Sequence, residues 1–203
     1  PSCQAASKIG TDGSFKIASK TEKCPVFVGK VVNHVKVGPS PKWLANYLHA
    51  YGIKSINNVV DISNFVMVET GQPLHYYDLS KLPHHEITVV DDVEMTMQAL
   101  DGQDYEIKKG DLLITTGGQP TGIAGIMGGE ESKIDESTTS IFIEAAVFNA
   151  VSIRNTARRL GLSTEAAMHF TKGIEPMAPI KAVDRSVQLL KELAEAEGFE
   201  ENV

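Results

Sequence analysis

The sequence predicts an α+β fold, and three observations carry that prediction. Apolar residues recur at helical spacing over about residues 41–71 and again after Asn149. Between them, residues 86–144 break into short apolar runs separated by turn dipeptides, which is the texture of strands. The third is size: 203 residues, 42% hydrophobic and 22% charged, fall in the range of ordinary globular domains, where folding buries roughly 70% of the unfolded surface. A core of that size needs no disulfide or metal staple. With no internal repeat, low-complexity tract or long linker, residues 1–203 read as one compact unit.

Taken in order, residues 1–25 are polar with a turn signal at Asp12-Gly13, and Pro25 marks entry into a β-branched strand over Val26–Val32. Ser40-Pro41 offers a cap followed by proline at the first helical position. Trp43, Leu44, Tyr47, Leu48 and Tyr51 then recur at helical spacing up to Gly52, predicting a helix over 41–50. Asn57-Asn58 caps a second helix with the stripe Val59, Ile62, Phe65 and Val66, ended by Gly71 and Pro73. Ile87–Val90, Met95–Leu100, Leu112–Thr115 and Ile141–Ile143 read as strands, with turns at Asp101-Gly102 and Gly117-Gly118. After Asn149 the helical period returns through Val151, Ile153, Ala157 and Leu160 to Gly161, and Pro179–Ala196 forms a long amphipathic stretch.

Composition narrows the function classes. A formal net charge of −7 argues against a protein that coats DNA or RNA, which needs a basic excess to displace counterions, although local RNA contact stays open. Cys3 and Cys24 cannot make a C-x-x-C pair and read as free thiols. No apolar run approaches a membrane span and the N-terminus lacks signal-peptide regions, so the expectation is a cytoplasmic protein without membrane contact. Pro1 in place of Met fits a processed product or a piece of a longer chain.

Several residues could carry chemistry. The glycine-rich run Gly122–Gly129 could present backbone N–H groups to an anion or carbonyl, or could be a bulged, tightly packed strand; it lacks the Gly-Lys-Ser/Thr ending of a phosphate loop. Glu144 ends the apolar run Ile141-Phe142-Ile143. A carboxylate buried there costs several kcal/mol unless paired, so it is either a structural cap or salt bridge or a ligand-binding group. His75 follows the rigid Gly71-Gln72-Pro73-Leu74 turn and could sit at a cleft edge or be an ordinary core or surface residue. Adjacent His84 and His85 seldom face one metal, and no metal-ligand spacing is present. Arg154, Arg158 and Arg159 could meet phosphates or form a solvated helix face. No Gly-x-Ser-x-Gly elbow supports serine chemistry.

Four collinear motifs over residues 50–175 resemble the editing module of the bacterial phenylalanyl-tRNA synthetase β subunit. They are Asn58–Met67 with Gly71–His75, Gly122–Gly129, Ile143–Ala146, and Arg158–Ala166. The resemblance implies a β-sandwich of unusual topology with packed helices, cut from a longer β subunit that pairs with a catalytic α subunit in an α2β2 assembly. It implies that phenylalanine is joined to its tRNA on the α subunit with ATP and Mg2+, while this segment, without a cofactor or metal of its own, hydrolyses tyrosine mistakenly attached to tRNA(Phe). By the same resemblance Glu144 accepts the phenolic hydroxyl and Gly128 keeps room for the ring. Ala166 lines the site, and His75 and Thr164 are the catalytic candidates near the ester. Lys54, at a position where many members carry arginine, is a substrate-binding candidate. Thr171-Lys172-Gly173 departs from an acidic-basic-glycine pattern. A noncatalytic tRNA-binding or scaffold module, or a freestanding relative acting in trans, are the other readings.

Overall fold

The computed structural model describes residues 7–9 and 15–199; Pro1, Cys3 and the Asp12-Gly13 turn lie outside the described residues. The first half of the chain contains β1 (Ser7–Ile9), β2 (Phe15–Ser19), β3 (Val26–Asn33), α1 (Lys42–Ala50), α2 (Asn58–Thr70), β4 (Leu74–Asp78), β5 (Glu86–Val90) and β6 (Met95–Gln98). The second contains β7 (Asp104–Ile107), β8 (Leu113–Thr116), β9 (Gln119–Ile123), β10 (Met127–Gly128), β11 (Ile141–Val147), α3 (Ala150–Leu160), α4 (Glu165–Lys172), α5 (Ala178–Leu193) and β12 (Glu197–Phe199).

These elements build two larger sheets. One has six strands in the order β1-β2-β5-β8-β9-β10, antiparallel except for the parallel pair β2 and β5. The other has four antiparallel strands in the order β12-β3-β11-β4. The β6-β7 hairpin joins the first sheet through a bridge between Ala99 and Gly129.

The period-two alternation of β11 explains the layering. Phe142 and Ala146 point between the sheets, into a core with Phe15, Ile17, Ile87, Val89 and Ile114. Ile141, Ile143 and Ala145 point the other way, into a second core closed by Leu44 and Leu48 of α1, Ile62 and Val66 of α2, and Leu190 of α5. The four-stranded sheet is thus buried on both faces, which is why β11 reads as a continuous apolar run. It also places Glu144 on the same face as Phe142, between the sheets. The helices and the paired sheets are the α+β sandwich that the sequence and the resemblance lead one to expect.

Helix ends follow the local signals closely. Asn57 caps α2 by accepting from the Val60 N–H at 2.9 Å, and Gly71 closes it at φ 78°. At α1 the expected cap differs. Pro41 holds the N-cap position with no side-chain bond, while the Ser40 hydroxyl donates 2.6 Å away to Asp61. Asp61 is fully buried and also accepts from the Ser55 hydroxyl at 2.5 Å and the Ile56 N–H at 2.8 Å. A buried carboxylate needs such donors more than an exposed helix start needs a cap.

The expected strand over 95–100 ends at Gln98 and the final helix at Leu193. Six elements carry no sequence expectation as such: β1, β2, β4, β7, β12 and α4. Strands therefore occur at both ends of the chain, not only in the middle.

Candidate functional site

A cavity of about 470 Å3 opens between α2, β4, the β9-β10 hairpin and the N-terminal end of α4. Of the six site residues that the sequence singles out, the fold gathers His75, Gly128, Glu144, Thr164 and Ala166 around it. Lys54 stands apart: it is exposed, in the loop before α2, and does not line the cavity.

The β4-β11 register sets the polar end of the site. Glu144 lies directly across from His75, and Phe142 across from Tyr77. His75 and Tyr77, two residues apart on β4, therefore share a face, with their rings edge-to-face at 4.4 Å between centroids. The Tyr77 hydroxyl donates to Glu144 Oε2 at 2.5 Å. Among the described residues no other donor reaches this carboxylate.

Burial governs the charges. Glu144 is 5% exposed, and desolvation pushes its carboxyl up to about 7 against the opposing hydrogen bond from Tyr77. The Tyr77 phenol is pushed well above its ordinary value by burial and by the neighbouring carboxylate. Desolvation brings His75 down to about 4, so its imidazole is neutral at physiological pH. His75 Nε2 is buried without a hydrogen-bond partner, an uncommon condition for a buried ring nitrogen.

The glycine-rich run resolves as the β9-β10 hairpin, so the strand reading of it holds. Gly125 turns the chain at φ 68°, and a Cβ there would meet Phe170 of α4 at 2.9 Å. Gly128 has a different reason: a Cβ on it would lie 2.3 Å from His75 Cε1. Only a residue without a side chain lets β10 approach β4 this closely. Thr164 caps α4, accepting from the Ala167 N–H at 3.1 Å, and donates to the Ile126 carbonyl at 2.9 Å. Its proton is thus committed to tethering the hairpin to α4.

Other sequence candidates have structural roles or stand at the surface. Arg159 pairs with Asp111 and donates to the Glu106 carbonyl at 3.0 Å, while Arg154 and Arg158 are exposed. His84 and His85 are exposed, and no group of three potential metal ligands occurs among the described residues. Cys24 is a free, buried thiol pushed up to about 12 by burial and by Glu144. No helix among the described residues is long and apolar enough to cross a membrane. Sequence reasoning missed Tyr77 as a site residue; Gln72, which does not line the cavity, supports it structurally, its buried amide donating to the Pro73 carbonyl at 2.8 Å and across to the Ala146 carbonyl at 3.1 Å. No sequence signal singled out Tyr77, because its place depends on β4 being a strand paired with β11.

The B3/4 domain family matches residues 23–195, a span that takes in every side chain of the cavity. The chain belongs to the B3/4 domain family. This B3/4 domain is 43% identical over 185 residues to the phenylalanine--tRNA ligase beta subunit of Desulfotalea psychrophila, an alignment covering 90% of the chain and 22% of that protein. It is 44% identical over 183 residues to the corresponding subunit of Staphylococcus haemolyticus, covering 90% of the chain and 23% of the relative. The chain thus spans about a fifth of the length of these relatives. Among solved structures, an N-terminal fragment of the phenylalanyl-tRNA synthetase beta subunit from Pyrococcus horikoshii superposes with a TM-score of 0.58 at 10% identity, over 92% of this chain and 53% of that one. That likeness shows a shared fold.

Proposed function

We propose that this B3/4 domain is the editing segment of a phenylalanyl-tRNA synthetase β subunit and hydrolyses tyrosine wrongly esterified to tRNA(Phe). Its partners are then the acceptor end of that tRNA and a catalytic α subunit in an α2β2 assembly in the cytoplasm. Synthesis of phenylalanyl-tRNA with ATP and Mg2+ belongs to the α subunit, and the hydrolytic site uses side chains alone. The similarity to β subunits at 43–44% identity supports the assignment to that enzyme.

The observation that carries the editing reading is Glu144, a buried carboxylate on the wall of an otherwise largely apolar cavity. Tyrosine differs from phenylalanine by one hydroxyl. An apolar pocket separates such a pair weakly, whereas a site built to hydrogen-bond the hydroxyl rejects the analogue lacking it by roughly 10⁴-fold. A tyrosyl phenol donates to Glu144, and a phenylalanyl ring leaves the buried carboxylate facing an apolar edge. Gly128, on the cavity wall, lets the His75 ring pack directly against β10, and a side chain there would push that ring into the space the substrate ring needs.

At the ester end the resemblance places His75, whose Nε2 is unpartnered and buried against Gly128, so that it holds a water or a ribose hydroxyl once the ring turns toward the cavity. An imidazole held near 4 is a weak base at neutral pH, so His75 orients the nucleophile more than it removes its proton. Water adds to the ester carbonyl, the bond to the ribose oxygen breaks, and tyrosine and uncharged tRNA leave. Thr164 fixes the hairpin and α4 that frame this geometry.

The test is deacylation of tyrosyl-tRNA(Phe) and phenylalanyl-tRNA(Phe) by the complete α-plus-β enzyme, wild type beside Glu144→Ala. Selective release of tyrosine, lost in the variant, supports editing here. Release of neither amino acid by a wild type that aminoacylates normally makes the domain a scaffold.

A further inference from the structure

The proposed editing reaction needs Glu144 to present one oxygen in one direction, and its hydrogen-bond partner Tyr77 stands beside it on the cavity wall. We propose that Tyr77 is a specificity-setting positioning residue: it holds one oxygen of the Glu144 carboxylate and leaves the other open to a single substrate hydroxyl. The inference rests on the reading of the cavity as a site for a tyrosyl ester.

Geometry supports it from three sides. Tyr77 is 1% exposed, so its phenol has no water to bond and is held against Glu144 Oε2 at 2.5 Å. Its ring is fixed edge-to-face on His75 and lies 6.2 Å from Phe142, whose ring stacks on Phe15 at 4.3 Å. Glu144 Oε1 has no protein donor among the described residues, and the residue lines the cavity. The internal phenol already displays the group that this carboxylate accepts. One oxygen is taken by a phenol of the protein and the other remains for a phenol of the substrate.

The groups facing Glu144 make Tyr77 decisive for its charge. From β4 come His75 and Tyr77; from the segment before β3 comes Cys24, which interacts electrostatically with Glu144. The β3 residue opposite Glu144 is Gly29, and residues 122–128 carry no titratable side chain. Glu165 of α4, with Glu130 and Lys133 beyond β10, lines other parts of the same cavity. Tyr77 is the one group identified as drawing the Glu144 carboxyl back toward its ionised form. Without that hydrogen bond, burial acts unopposed and the carboxyl is protonated at a higher pH. A neutral carboxyl no longer presents a buried charge to phenylalanine, and discrimination narrows.

The test uses the complete synthetase with wild-type, Tyr77→Phe, Glu144→Gln and double-variant β subunits. Deacylation of tyrosyl- and phenylalanyl-tRNA(Phe) is followed from pH 6 to 9, with thermal melting as the folding check. In the wild type the tyrosine preference declines as pH falls through about 7. In Tyr77→Phe the same decline occurs at least about 0.7 of a pH unit higher, so that the preference at pH 7 drops roughly threefold or more and returns toward pH 9. Glu144→Gln gives a flat profile, to which Tyr77→Phe adds less than about twofold, because Tyr77 acts through Glu144. If Tyr77→Phe fails to fold, 3-fluorotyrosine at position 77, a stronger donor, moves the midpoint down.

A selective wild type whose profile is unchanged in Tyr77→Phe, or an equal loss in the Glu144→Gln background, overturns the inference while leaving the editing reading intact. An unmoved midpoint with 3-fluorotyrosine does the same. A wild type that shows no tyrosine preference at any pH removes the reading and the inference together.

Discussion

Gly128→Ala is the smallest perturbation that should disable the site without replacing any of its polar groups. The new Cβ would lie 2.3 Å from His75 Cε1 and 2.7 Å from Nε2. Carbon atoms settle at about 3.5–4.0 Å, so the imidazole must retreat by roughly 1.2–1.7 Å or the hairpin must lift by as much. Neither is free: the ring packs edge-on against buried Tyr77, and Thr164 ties the hairpin to α4. Overpacking of this kind costs about 1–3 kcal/mol, and a displacement of about 1 Å at a positioning group lowers rate by roughly 10²-fold. Deacylation of tyrosyl-tRNA(Phe) by the whole enzyme should therefore fall about 10²-fold. Gly122→Ala on the neighbouring strand should stay within about threefold of wild type, because its Cβ meets nothing closer than 3.6 Å. Adding His75→Ala to Gly128→Ala should restore stability without restoring rate. A folded Gly128→Ala enzyme with the wild-type rate would refute the placement of His75 at the reacting end.

Two further outcomes follow from the same geometry. Glu144 is held near 7 against 4.5 when exposed, so its ionisation costs folding about 3 kcal/mol above pH 7 and nothing below the unfolded value. His75, lowered from 6.5 to about 4, does the reverse: its neutral form supports folding above 6.5, and that support is lost as pH falls through 4. Between 4.5 and 6.5 the two slopes oppose each other. Glu144→Gln should then gain about 3 kcal/mol relative to wild type between pH 4 and pH 8 in denaturant titrations, and an offset that does not change with pH would contradict the burial of the charge. Thr164→Val should cost about 1 kcal/mol through the lost cap and lower deacylation, whereas Thr164→Ser restores both; a rate lost equally in Thr164→Ser, with stability intact, would point to a role for the threonine methyl instead.

Local signals made much of the architecture legible. Asn57, Gly71, Asn149 and Gly161 bracket α2 and α3 as capping chemistry requires, and the apolar run around Glu144 marks a strand buried on both faces. The elements that escaped either depend on partners far away in sequence or carry too little apolar pattern to announce a strand. β4 begins right after Gly-Gln-Pro, which reads as a turn, and is a strand because β11 pairs with it some 65 residues later. β7 is largely polar and pairs locally at an edge with β6.

The site shows the same division. Glu144 could be suspected because an unpaired carboxylate does not sit in an apolar run without a reason. Tyr77 could not, since only the β4-β11 register brings its hydroxyl to that carboxylate. Thr164 could be placed near the site, but only the fold shows its hydroxyl committed to a cap and to the Ile126 carbonyl.

The central claim is that Glu144 reads the substrate hydroxyl. The most direct measurement is the affinity of the protein for two non-hydrolysable 3′-aminoacyl-adenosine amides, one carrying tyrosine and one phenylalanine, with wild-type and Glu144→Ala chains in parallel at pH 8. A hydrogen bond to a charged acceptor contributes about 1.5–3 kcal/mol, so the wild type should prefer the tyrosyl analogue by roughly 10–100-fold and the variant by little. Equal affinity of the wild type for both analogues, or a tyrosine preference that survives Glu144→Ala, would contradict it.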